Sequence, residues 1–288
     1  MPPLSENSKR SWTATSALLV CCIAIGFFAT AVRASELKPE TVAGFDHYTR
    51  MTEARMSDDM AHDRFLAVDA LPEPRRQAEY DRLRHGEIYL VRLRTLENGR
   101  PIRVPSGLIH HWVGVIFIPG ATLPETLAVL RDYDNHKNIY KPVVRDSKLL
   151  EQNGNDFKIY LQFYNKSGVS VVLNANFDVD YAEFGPARTQ SISRSSRIAE
   201  VENVGQANER ECPVGKDHGY MWRLTTYWRV EEKDGGVYLQ NESVALTRTI
   251  PFLIAWFVNP LVESIPREVI SHLLVSTRDA VEQRNKEK

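Results

Sequence analysis

The stretch 264–283, SIPREVISHLLVSTRDAVEQ, decides how the rest of the chain is read. Ser264 stands where an N-cap would, with Pro266 in the first turn, and Val269, Ile270, Leu273, Leu274, Thr277, Ala280 and Val281 recur at spacings of three and four. Arg267, Glu268, Ser271, Arg278, Asp279, Glu282 and Gln283 fall on the other side. The pattern predicts an amphipathic helix of about seventeen residues, roughly 25 Å long, whose apolar stripe needs a sheet to lie on.

Upstream residues supply the sheet. Leu108 to Ile118 is a long apolar run with Gly114 in its middle, where a missing side chain marks a bulge or the close approach of another element, and Pro119-Gly120 ends it. Leu123 to Asn138 reads as a helix. Hydrophobic period two then takes over at Val143–Glu151, Phe157–Tyr164, Val169–Tyr181, Thr189–Val201, Tyr220–Glu231 and Val237–Thr247. Turn residues such as Asn153-Gly154, Lys166-Ser167-Gly168, Gly185-Pro186 and Asp234-Gly235-Gly236 separate these runs, and a polar loop spans Asn203 to Gly219. A strand, a helix, six strands and a final helix predict an α+β helix-grip: a curved antiparallel sheet of about seven strands around the C-terminal helix, wide enough to leave a cavity between them.

Two segments resemble a known family. Phe252-Leu253-Ile254-Ala255-Trp256-Phe257-Val258-Asn259, with Ile265-Pro266 and the helix, is similar to the segment entering the last helix of START lipid-binding domains and of the SRPBCC, or polyketide-cyclase-like, superfamily. Leu127-Ala128-Val129-Leu130-Arg131-Asp132-Tyr133-Asp134, then Tyr140, Pro142-Val143-Val144 and Ser147, follows the family's helix, aspartate-tyrosine turn and second strand. The resemblance spans about Leu108 to Gln283. It implies the helix-grip fold and no particular activity, since the superfamily holds transporters, cyclases and hydrolases alike.

Residues 1–34 read as a targeting segment: Lys9 and Arg10 precede an apolar run from Ala14 to Ala31, and Val32-Arg33-Ala34 offers a cleavage site. A cleaved signal peptide, and a periplasmic or secreted protein, is the expectation; an uncleaved N-terminal anchor is the alternative. The whole chain has 36 Lys plus Arg against 37 Asp plus Glu; setting aside the first 34 residues, which hold three basic and one acidic residue, leaves 33 against 36. That balance gives no basic face for nucleic acid. Only Cys212 follows the segment, so no disulfide can form within the remaining chain, and a hydrophobic core must hold it together. Residues 35–106 are expected to form a helical extension plus a small hairpin, and 107–285 the helix-grip domain. In the extension, helices are expected from Pro39 and from Pro74 to Arg84, and the hairpin from Glu87–Leu96 and Ile102–Val104 about Glu97-Asn98-Gly99.

The most informative strand is Trp222 to Val230. Alternation puts Trp222, Leu224, Thr226, Trp228 and Val230 on one face, expected to look inward, and Arg223, Thr225, Tyr227 and Arg229 on the other. In the run 237–247 the two phases are nearly balanced, so its inward face is left open; Glu242, if inward, would need a cationic or hydrogen-bonding partner such as Arg223 or Arg248. His110 and His111 point to opposite faces, so one of them at most reaches a cavity. The candidate ligand-binding set is Trp222, Leu224, Thr226 and Trp228, with Arg223, Tyr227, Glu242 and His111 as polar groups and Leu273 and Trp256 from the helix side. The apolar elbow Phe252 to Val258 is expected to close the cavity mouth, to pack, or to touch a membrane transiently when ligand is exchanged.

No metal site, cofactor or catalytic residue is assigned. Asp58, Asp59, Asp63 and His62 read as a solvated charged face, and no hydrolase elbow, dinucleotide fingerprint or phosphate loop is present. Cys212, beside Glu211, lacks the electropositive surroundings of a nucleophile. Three functions follow: an exported carrier of a lipid or other hydrophobic small molecule; a cyclase- or aromatase-like enzyme with titratable groups facing each other in the same cavity; or an envelope interaction protein whose core is filled by side chains.

Overall fold

The protein is seen in a computed structural model that describes residues 35–165, 170–249 and 252–287; the side chains of Ser35 and of 252–263 lie outside the description. Residues 1–34, the expected targeting segment, are outside it as well.

Helix α1 spans Pro39–Ala61, α2 Arg75–Arg84, α3 Leu123–Leu130, α4 His136–Ile139 and α5 Phe252–Lys286. The strands are β1 (Ser35–Glu36), β2 (Tyr89–Arg92), β3 (Leu96–Glu97), β4 (Arg100–Pro101), β5 (Gly107–Pro119), β6 (Val144–Asn153), β7 (Asp156–Asn165), β8 (Val171–Glu183), β9 (Arg188–Glu202), β10 (Arg210–Glu211), β11 (Lys216–Asp217), β12 (Arg223–Lys233) and β13 (Gly236–Arg248). Nine of them make one antiparallel sheet in the order β2-β5-β13-β12-β9-β8-β7-β6, with β10 beside β9. Antiparallel pairing follows from the short turns: at Asp234-Gly235, φ is 56° and 75°, the left-handed pair that a two-residue hairpin loop demands. Register shifts within β6–β7 and at Asn176/Phe177 in β8–β9 bend the sheet, as bulges do.

With α5 on its inner face, this is a helix-grip. Ile270, Leu274 and Val281 of α5 join Ile116, Ile118, Val230, Val237 and Leu239 of the sheet in one cluster of buried side chains. Gly114 lets α5 come down on β5, because a Cβ there would meet Leu274 Cδ1 at 2.7 Å and Ile270 Cγ2 at 2.9 Å. The missing side chain thus marks the close approach expected from sequence. Arg284 pairs with Asp132, tying the end of α5 to the turn after α3, and Asp134 Oδ1 accepts from Leu149 N–H at 2.9 Å. The Asp-Tyr-Asp turn is therefore a brace. A reciprocal cap, in which Thr122 N–H donates to Glu125 Oε2 at 3.0 Å, starts α3.

The outer face is covered too. Thr41, Phe45, Tyr48, Thr52 and Met56 form one buried stripe of α1, and Phe45, Tyr48 and Met56 cluster with Trp222, Tyr227, Val244 and Leu246. Phe65, Leu66, Val68, Tyr80 and Leu83 cover Val115, Phe117 and Tyr238 next to them. The central strands are buried on both sides, so β13 reads as almost continuously buried.

Several boundaries differ from the expectations. The strand at 89–92 does not pair with 102–104; it joins the main sheet beside β5, and the small hairpin is β3–β4. Helix α5 begins at Phe252, so the expected elbow has a helical backbone and Ser264 is no N-cap. Pro266 lies inside the helix, where it removes one backbone hydrogen bond and is read from sequence as a start. The expected helix 123–138 is broken after Leu130 and resumes at His136.

Candidate functional site

Between the inner face of the sheet and the first described turns of α5 lies a cavity of about 420 Å³. Its floor comes from inward positions of the central strands: Trp112 of β5, Ser243 and Ala245 of β13, Leu224, Thr226 and Trp228 of β12, and Ser191 and Ser193 of β9. Leu161, Phe163, Leu173, Phe177 and Val179 form the far wall, and Val269, Ile270 and Leu273 the helix side. One end is shut where α5 sits on Gly114, since beyond Asn241 the space holds the buried side chains of Ile116, Val230 and Leu239. At the other end stand Tyr164, Gly219, Tyr220 and Arg248, with Tyr220 38% exposed. A void lined by hydrocarbon between sheet and terminal helix is what a helix-grip builds when its helix rests on only part of the sheet.

Solved structures similar to this chain include the STAR-related lipid transfer protein from Xanthomonas axonopodis, at 16% identity over 62% of this chain and 96% of that one, with a TM-score of 0.44. Human STARD10 is similar at 10% identity over 75% of this chain and 84% of that one, with a TM-score of 0.42. The Zhui aromatase/cyclase from Streptomyces sp. R1128 is similar at 14% identity over 62% and 96%, with a TM-score of 0.36. The sequence matches no protein-family model and no curated protein. At this level of likeness no residue role passes from those proteins to this chain.

The structure divides the expected ligand-binding set. Leu224, Thr226, Trp228 and Leu273 line the cavity. Trp222 does not: it precedes β12, turns to the outer cluster, and its Nε1–H donates to Asp217 Oδ1 at 2.8 Å. Tyr227, Glu242 and His111 are on the outer face beneath α1, and Arg223, which donates to the Trp222 carbonyl at 3.0 Å, is not among the lining residues. Trp256, with the rest of Phe252–Val258, falls outside the described side chains.

Glu242 shows why the outward phase won. Its Oε1 accepts from His111 Nε2–H of the neighbouring β5 at 2.7 Å and pairs with Arg55 of α1, a partner that no reading of the sheet alone offers. Burial pushes its carboxyl up, but the His111 hydrogen bond and the charges of His111, Arg55 and Arg229 outweigh that and hold it below the usual carboxylate range. Tyr48 Oη lies 2.9 Å from His111 Nδ1 and accepts from Thr95 N–H at 2.9 Å, which fixes the ring.

Inside the cavity, burial favours the neutral forms of His136 and of three phenols. His136 lies 3.2 Å from the Leu130 carbonyl and burial brings its pKa down to about 4. Burial raises the phenols of Tyr133, Tyr140 and Tyr181, which remain hydrogen-bond donors: Tyr133 meets Tyr181 at 3.0 Å and Tyr140 donates to Thr277 at 3.0 Å. His110, the inward member of its pair, is 3.1 Å from Thr247 Oγ1. No Asp, Glu or Lys is among the described lining residues. Of the titratable groups a cyclase reading would bring together, Glu242, Tyr227, Arg223 and His111 are not among the lining residues and His110 is, so that set does not face itself across the cavity.

Outside the cavity, Asp58, Asp59 and Asp63 are taken up by Arg64, Arg55 and Arg188. No group of three metal-ligating side chains occurs among the described residues. Cys212 is buried, and desolvation with Glu202 beside it pushes the thiol up to about 12, the opposite of what a nucleophile needs. Sequence reasoning missed the lining residues Trp112, Ser193, Ser243 and Tyr181. The alternation in their strands carried that signal; the sequence left open which phase of β13 looks inward.

Proposed function

We propose that the protein binds one lipid or other hydrophobic small molecule in the cavity between sheet and α5, and carries it without transforming it. The observation that supports this is a cavity of about 420 Å³, within the range of ligand sites, left unfilled in an otherwise tightly packed sandwich and walled mainly by hydrocarbon. Removing apolar ligand surface from water at about 25 cal/mol per Å² supplies most of the affinity. The open cavity speaks against an interaction protein with a filled core. The signal-like first 34 residues support export to the periplasm or medium, with the uncleaved anchor as the alternative. The apolar segment Phe252–Val258 at the start of α5 supports brief contact with a membrane during exchange. Native mass spectrometry of protein from its own host tests the reading: a lipid-sized adduct is expected, and its repeated absence from folded protein overturns it. Among the described residues no helix is long and apolar enough to cross a membrane.

A further inference from the structure

The cavity floor is not uniformly apolar. In the strand register, Thr226 of β12 stands between Ser243 of β13 and Ser193 of β9, so three hydroxyls form one row across neighbouring strands about 4.8 Å apart. All three line the cavity, and Thr226 and Ser193 have no side-chain hydrogen-bond partner among the described residues. Ser243 donates to Asn241 Oδ1 at 2.9 Å, while Asn241 Nδ2, fully buried at the closed end, is without a partner among the described residues. Turning the amide over leaves its oxygen unpartnered instead, so the site keeps one unused polar end either way.

These groups have dipoles but no charge. The lining residue with permanent charge, Arg248, stands at the opposite end with Tyr220 and Gly219. From this we infer that the ligand is an uncharged lipid whose single oxygen function, a hydroxyl or carbonyl, enters first and lies on the Ser193–Thr226–Ser243 row next to Asn241, its hydrocarbon extending toward Tyr220. A phosphate or ionised carboxylate at that depth would meet no cation and would keep its desolvation cost. The inference rests on the carrier reading and adds the class and orientation of what is carried.

Isothermal titration of the full chain with decanol, decane and decanoate at neutral pH tests it, using wild type and the near-isosteric Thr226→Val/Ser193→Ala variant. Wild type is expected to bind decanol at least about tenfold more tightly than decanoate, and the double substitution to weaken decanol about tenfold relative to decane. Decanoate binding as tightly as decanol, or an unaltered decanol-to-decane ratio in the variant, overturns this inference and leaves the carrier reading standing. Failure of all three probes to bind overturns both. The wild-type ranking decides even where the variant does not fold.

Discussion

His111 Nε2 lies 2.7 Å from Glu242 Oε1 with both side chains only 1% exposed, on the face of the sheet away from the cavity. Because Arg55 of α1 pairs with the same oxygen, the contact joins the N-terminal helix to the two central strands. Removing the carboxylate leaves a buried imidazole and a half-buried guanidinium without their acceptor. Glu242→Ala is expected to cost roughly 3–5 kcal/mol, read as a fall in the urea midpoint, with little direct effect on ligand affinity once folded. A cost under about 1 kcal/mol would mean that α1 is not anchored there.

Acid should act in two windows. His136 titrates near 4 when folded against 6.5 for the free group, so the unfolded chain binds more protons between those values. Its contribution, roughly 3 kcal/mol, is complete above pH ~6.5 and is lost as pH falls toward ~4. The Glu242 carboxyl is held below its usual range, so its contribution is present above pH ~4.5 and is lost as pH falls through the depressed value. Denaturant melts across pH should show both losses, and His136→Phe should flatten only the upper one. A stability curve level from about pH 7 to about 4.5 would contradict this.

Gly114 is the point where helix and sheet touch. A methyl group there has to displace Leu274 and Ile270, and Gly114→Val is expected to destabilise by about 1–3 kcal/mol through overpacking. Thermal denaturation measures it, and a neutral result would place α5 farther from β5.

Ala245 is half-buried, faces the cavity and lies opposite Leu224. Ala245→Phe puts a ring into the empty volume. Ligand binding should fall at least about tenfold while the melting temperature holds or rises, since filling a void tends to stabilise. Unimpaired binding would locate the ligand elsewhere.

The order of elements was legible in the chain because period-two runs and glycine-bearing turns are local signals; β5 to β9, β12 and β13 lie within a few residues of where they were expected. The layer that sequence did not convey is the outer one. Alternation in β12 fixes two faces, yet β13 is buried on both, so Glu242 and Asn241 are equally hidden and only the position of α1 says which looks into the cavity. Trp222 failed for a related reason: the strand begins one residue after it, and Asp217 holds its indole on the outer side. Asn241-Glu242-Ser243 matches a glycosylation pattern, but a fully buried Asn241 cannot take a glycan in the folded chain.

The most direct measurement of the central claim is a chemical-shift map of the side chains on addition of decanol. Binding between sheet and α5 predicts that Leu224, Trp228 and Leu273 move while Trp222 and Val244, on the outer face, stay where they are. Equal movement on both faces, or none at Trp228 at saturating ligand, would contradict a binding cavity inside the grip.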